Sequence, residues 1–217
     1  MTDTNMKVFG IGQMKTGTTT LGHCLSTFGF RHRSYYPKLL RQAHRGDYSN
    51  VWDVVDRYDS FEDNPWPLLY QQLDERYPDS KFVLTTRRDS ETWFGSMVAH
   101  ARRRGPTAEK QIIYGHGWPA RHKQDFIANY EAHNESVKAH FADRPDKLLQ
   151  VCWETGSTMT DLASFLGLDP ELAEELPRLN SASASTTSTS GWIRNTTKYV
   201  LISKLRIDPF RYRGFDA

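Results

Sequence analysis

The chain has only two cysteines, Cys24 and Cys152, in 217 residues. That excludes a disulfide framework and fits a reducing compartment. Each lies in a stretch that reads as helix or strand, so two buried thiols are expected. Long apolar runs are missing as well. None approaches the roughly 20 residues needed to cross a bilayer, and the opening MTDTNMKVFGIG lacks the basic and apolar regions of a signal peptide. A cytoplasmic protein without an integral membrane segment is expected. There is no excess of one charge: 28 Lys and Arg oppose 26 Asp and Glu, a net of +2, so no nucleic-acid partner is expected. The eight histidines lack the paired spacing of a zinc site, and no metal is expected. No composition break divides the chain, so one domain over residues 1–217 is the default.

What is present reads as strands separated by helices. Lys7 to Gly12 is a short apolar run ending in glycines, and Thr18 to Phe28 carries Leu21, Leu25 and Phe28 at helical spacing. Pro67 to Tyr77 reads as a helix that Pro78 stops before a strand from Lys81 to Thr86. Ser90 is a candidate N-cap for the next helix, which Gly105 and Pro106 end. A long helix from Asp125 to Phe141, a strand from Leu148 to Cys152 and a helix from Asp161 to Leu166, closed by Gly167, complete the pattern. Such alternation implies an α/β fold with a parallel sheet covered on both faces, a three-layer α/β/α arrangement. Residues 31–56 and 105–123 read as loops. Ser181 to Ser190 is a Ser/Thr-rich flexible loop, and the C-terminal segment 191–217 returns as a helix around Lys198 to Leu205.

GIGQMKTGTTT sets a glycine loop between the first strand and first helix, where backbone N–H groups and the helix dipole favour an anion. A Walker A loop needs Lys directly after its last glycine. Here Thr18 holds that place and Lys15 precedes Gly17 by two residues, which disfavours an ordinary ATPase or GTPase. The plainer reading is a turn whose glycines merely let strand and helix pack closely.

Lys15, Thr16, Gly17, Thr18 and Thr19 resemble the 5′-phosphosulfate loop of the sulfotransferases that use 3′-phosphoadenosine 5′-phosphosulfate (PAPS). FVLTTRRDSETWFGS supplies a second resemblance: Arg88 after a strand and Ser96 eight residues later, the pair that in this family holds the 3′-phosphate. LLQVCWE, ASFLG and the segment Pro177 to Asn180 are a weaker third match, and together they are most similar to the short bacterial-type branch. The resemblance implies a P-loop-type fold, PAPS as sulfuryl donor, no metal, and an acceptor that is a small molecule, glycan or lipid.

The chemistry agrees with it. PAPS carries two separated anions, and each requires positive charge and oriented donors. Lys15 with the N–H groups of Thr16 to Thr19 suits one, and Arg88 with the Ser96 hydroxyl suits the other. Arg87 competes with Arg88. The plainer readings are an Arg88 ion pair with Asp89 or Glu91 and a helix-surface hydroxyl at Ser96.

In-line transfer also needs a cation near the leaving oxygen, for which Lys15 is placed, and a base for the acceptor proton. Aligning Pro65 with the proline that follows the catalytic His of the cytosolic animal branch gives Asp63 as the base. Glu62, His100 and His116 are its rivals, and a turn-capping role is the plainer reading of Asp63. Thr20 stands where that branch has an adenine-stacking aromatic. Its Arg-Lys-Gly closing segment is absent, and the Ser/Thr-rich stretch with Trp192 and Arg194 is either a substitute or a connector. Two other functions share these features, a nucleotide-kinase-like phosphotransferase and a catalytically silent nucleotide-binding module.

Overall fold

The computed structural model describes residues 6–173. The Ser/Thr-rich loop 181–190, the segment Pro177 to Asn180 and the C-terminal segment 191–217 lie outside them. The described residues form two compact units, one running up to Arg88 and resuming at His133, the other spanning Asp89–Ala132.

In chain order the elements are β1 (Val8–Gly10), α1 (Thr18–Thr27), β2 (His32–Arg33), α2 (Pro37–His44), α3 (Ser49–Val55), β3 (Ser60–Phe61), α4 (Tyr70–Arg76), β4 (Lys81–Thr85), α5 (Ser90–Arg104), α6 (Ala108–Tyr114), α7 (Lys123–His140), β5 (Leu148–Val151) and α8 (Met159–Phe165). The strands make one parallel sheet in the order β2-β3-β1-β4-β5.

The first unit is a three-layer α/β/α stack, because alternate strand residues feed opposite cores. Register sets Phe9 opposite Phe61 on one side and Phe82 on the other, and the rings stack at centroid distances of 4.9 and 5.5 Å. Residues from α2, α3 and α4 cover that face, together with Val137 and Phe141. Val8, Val83 and Val151 point the other way, onto Leu21, Cys24 and Leu25 of α1 and Leu162 and Ala163 of α8. Burying each such large side chain contributes roughly 1.5–3 kcal/mol.

A polar clasp ties α4 to the end of α7 and the approach to β5. Buried Asp74 accepts from Lys147 at 2.6 Å and from His140 and Arg144 at 2.8 Å each. Burial pushes its carboxyl pKa up, but the hydrogen bonds from Lys147, His140 and Arg144 outweigh that and hold it below its ordinary value. The second unit is built on aromatic pairs: Trp93 stacks on Tyr130 at 4.3 Å and Tyr114 on Phe126 at 4.4 Å.

Several local expectations are corrected. Residues 31–56 are not loop; β2, α2 and α3 lie there, and α6 lies within 105–123. The helix expected from Pro67 begins instead as a 3₁₀ turn over Trp66–Leu68, with α4 proper starting at Tyr70. Asp89, not Ser90, caps α5, accepting from the Thr92 N–H at 2.6 Å. Cys24 is buried, which pushes its thiol up to about 11, whereas Cys152 is only half-buried just beyond β5. No helix among the described residues is long and apolar enough to cross a membrane.

Candidate active site

The glycine loop leaves β1, the central strand, and is held down from three sides. At Gly12 a Cβ would lie 2.1 Å from Thr85 Oγ1 and 2.3 Å from the Thr85 carbonyl. Only a residue without a side chain lets the loop lie against the end of β4. The Thr16 hydroxyl, 1% exposed, donates to the Gln13 carbonyl at 2.6 Å and pairs with Thr85 Oγ1 at 2.6 Å. That side chain therefore fixes the loop, leaving its N–H as the group Thr16 can offer a ligand. On α7, His133 Nε2 donates to the Ile11 carbonyl at 2.8 Å, and burial pushes that imidazole below its ordinary pKa.

Two left-handed residues then turn the chain into α1: Lys15 at φ 71° and Gly17 at φ 92°. For lysine that conformation costs roughly 1 kcal/mol, which the surrounding contacts must hold in place. Gly17 is the N-cap of α1 and no side chain caps it. The N–H groups at this helix start have no i−4 carbonyl inside the helix, so with the dipole they form an anion-binding end. Lys15 is half-buried, Thr18 buried and Thr19 exposed.

The turn after β5 braces the same loop, and sequence reasoning assigned it no role. A Cβ at Gly17 would lie 2.4 Å from Trp153 Cδ1, and Trp153 Nε1 donates to the Gly17 carbonyl at 3.2 Å. Glu154 accepts from Arg87 Nε at 2.9 Å, from Arg87 Nη2 at 2.6 Å and from the Arg88 N–H at 3.2 Å. Arg87 Nη1 also donates to the Lys15 carbonyl at 3.2 Å. Burial pushes the Glu154 carboxyl up, but the Arg87 hydrogen bonds, the Arg88 N–H and both guanidinium charges hold it below its ordinary value. The signal was in the sequence, as the Trp-Glu pair that follows LLQVC.

Arg87 and Arg88 lie past the end of β4 at Thr85, so strand alternation does not govern them. Arg87 is half-buried against the loop and Arg88 is exposed. Ser96, on α5, is half-buried and belongs to the second unit, whereas Arg88 ends the first.

At the carboxyl edge of β3, beside β1, come Glu62 and Asp63. Glu62 is 3% exposed and lies on the α1 face, where a Cβ at Gly10 would meet its Cβ at 3.0 Å and one at Gly22 its Cγ at 3.2 Å. Its Oε1 accepts from Ser34, His32 Nε2 stands 3.7 Å from that oxygen, and Oε2 is buried without a hydrogen-bond partner among the described residues. Asp63 is half-buried at φ 63°. Its Oδ1 accepts from the Asn64 N–H at 2.8 Å and its carbonyl from the Trp66 N–H at 3.1 Å. The turn-capping role expected as the plainer reading is thus present.

His100 and His116, the other rivals, are in the second unit. His116, His122 and Asp125 offer ligand atoms within 4.8 Å of one another. The two imidazoles, however, stack at 3.5 Å and 8°. Because the rings are nearly parallel, their in-plane lone pairs lie in separate planes, so a shared tetrahedral ion would need one ring to turn.

None of the curated proteins compared matches the chain. A family model described as a sulfotransferase domain matches residues 7–185. The match opens on β1 and runs through the uncapped loop and the Trp153–Glu154 brace past α8, most of the chain's length, and by it the protein belongs to the sulfotransferase family.

Proposed function

We propose that this sulfotransferase takes its sulfuryl group from PAPS and delivers it to a hydroxyl or amine of a small-molecule, glycan or lipid acceptor. The observation that carries the donor assignment is the uncapped N-terminus of α1, preceded by a left-handed lysine and held rigid by Thr85, Trp153 and Arg87. A preset cluster of N–H donors beside a cation is what a phosphosulfate requires. The residues fit the group. Lys15 and the N–H groups of Thr16, Gly17, Thr18 and Thr19 bind the 5′ end, and Lys15 stabilises charge developing on the leaving oxygen. Arg88 and Ser96 take the 3′-phosphate, a role that rests on the family pattern. Arg87 is engaged with Glu154 and the Lys15 carbonyl, bracing the loop.

Asp63 accepts the proton that leaves the acceptor hydroxyl as the S–O bond forms. It stands at the same sheet edge as the loop, where open α/β sheets bind ligands, and a carboxylate is ionised at neutral pH. Glu62, buried between Gly10 and Gly22, is the less accessible of the two. Since a sulfuryl group carries less negative charge than a phosphoryl group, the chemistry needs no divalent metal. A cytoplasmic location is part of this reading and accords with two free cysteines.

The test is calorimetry with the product nucleotide, 3′-phosphoadenosine 5′-phosphate (PAP), and with ATP, each in chelator and in magnesium. PAP should bind without metal and much more tightly than ATP. Equal affinity for ATP, or strict dependence on magnesium, would overturn the donor assignment. Transfer of label from radiolabelled PAPS to an acceptor then separates an enzyme from a silent binding module.

A further inference from the structure

Between α2 and α3, wholly inside the first unit, lies an open groove of about 420 Å³, within the range of small-ligand sites. Among the described residues its walls carry Lys38, Arg41, Arg45 and Arg57 together with the carboxylate of Asp53, four formal positive charges and one negative. Lys38, Arg41 and Arg45 recur at intervals of three and four, which sets them along one face of α2 and its end. Leu39 and Val54, both buried, floor the groove. Arg57 is steered by its Nε donating to the Asp53 carbonyl at 2.9 Å.

The groove also reaches the candidate reaction edge. Tyr36, at its end, donates its N–H to the Asn64 carbonyl at 2.9 Å, next to Asp63. The Arg33 guanidinium lies 4.3 Å above the Tyr36 ring, and its Nε is buried with no hydrogen-bond partner among the described residues. A fifth cation with an unmet donor thus stands beside the acidic edge. Desolvated donors of this kind are costly unless something accepts from them.

We propose, resting on the sulfotransferase reading above, that this groove binds the acceptor through an anionic group. The acceptor carries a carboxylate, sulfate ester or phosphate ester near the hydroxyl or amine that receives the sulfuryl group. Guanidinium pairs favour such planar or tetrahedral oxyanions, and the apolar floor takes the carbon skeleton between them.

The test is calorimetry on the full chain with trigalacturonate, galactose 6-sulfate and galactose 6-phosphate, which separate the three anions. The methyl ester of trigalacturonate is the uncharged control, and PAP is measured on the same samples. At least one anionic probe should bind, and the methyl ester at least tenfold more weakly than its acid where the carboxylate is the group read. Arg41→Gln with Arg45→Gln should weaken that probe about tenfold or more and leave PAP affinity within twofold. Lys38→Ala serves as a second variant should the double one not fold.

Failure of all three anions to bind with PAP binding retained overturns the groove assignment alone. Binding that neither variant weakens does the same. So does a short DNA duplex that binds more tightly than every probe and is lost in the variants, since it would mark a general polyanion surface. Loss of PAP binding in the unaltered protein overturns the donor reading, and the acceptor assignment with it.

Discussion

Trp153 lies edge-on to Gly17, its Nε1 donating to the Gly17 carbonyl at 3.2 Å while the ring fills the space a side chain there would need. A residue after the last strand thus sets the conformation of a turn after the first. Gly17→Ala meets both the ring and a φ of 92°. It should cost about 1–3 kcal/mol of stability and weaken PAP binding at least tenfold. Trp153→Phe loses the hydrogen bond, roughly 0.5–1.5 kcal/mol, and part of the ring packed on the core, and should weaken PAP a few-fold. Thermal unfolding and calorimetry measure both; a Gly17→Ala protein with unchanged PAP affinity would show that the loop does not bind the nucleotide.

The two adjacent arginines separate by readout. Arg88→Ala should weaken PAP binding by about 10- to 100-fold, the worth of a charged hydrogen bond of roughly 1.5–3 kcal/mol, with a smaller loss of melting temperature than Arg87→Ala. Arg87→Ala frees Glu154 and the Lys15 carbonyl, so it should lower the melting temperature as well as affinity. If the ligand 5′-AMP, which lacks the 3′-phosphate, loses as much affinity as PAP in Arg88→Ala, then Arg88 does not read that phosphate.

Asp63→Asn keeps the hydrogen bond to the Asn64 N–H and removes basicity. Turnover should fall about 10²- to 10⁴-fold with PAP affinity nearly intact. Glu62→Gln, which alters a buried carboxylate held by Ser34, should change stability more than turnover. Should Glu62→Gln abolish turnover while Asp63→Asn keeps more than about a third of it, the base is Glu62.

Acid should loosen the clasp at Asp74. Its folded-state pKa lies below the ordinary carboxylate value, so the folded state binds this proton less readily than the unfolded chain. The resulting stability is fully present above the unfolded value of about 4 and is lost as pH falls below it, through the lower folded value. Melting temperature followed between pH 2 and 6 should drop on the acid side, and Asp74→Asn should flatten that limb. An acid limb of equal steepness in Asp74→Asn would assign the loss to other carboxylates.

Central strands were legible because a buried parallel strand is apolar throughout: VFG and FVLT could hardly be anything else. The two shortest strands were not: His32–Arg33, at one edge, and Ser60–Phe61, the next strand in, are only two residues long and exist only through pairing with their neighbours. Likewise α2 and α3 are only 8 and 7 residues long, so periodicity alone did not separate them from loop. Within the candidate site, the glycine loop declared itself through local spacing. The brace from Trp153 and Glu154 did not, since contacts more than sixty residues apart in the chain leave no periodic trace.

The strand order has an evolutionary corollary. The loop departs from the middle of the sheet, hemmed by Thr85, Trp153 and His133, whereas residues 34–59, with both groove helices, connect β2 and β3 at its margin. Substitutions at the exposed groove-facing side chains of this stretch leave untouched the hydrogen bonds that hold the loop. Under the acceptor reading proposed above, acceptor preference can therefore change at this margin without altering the interior loop.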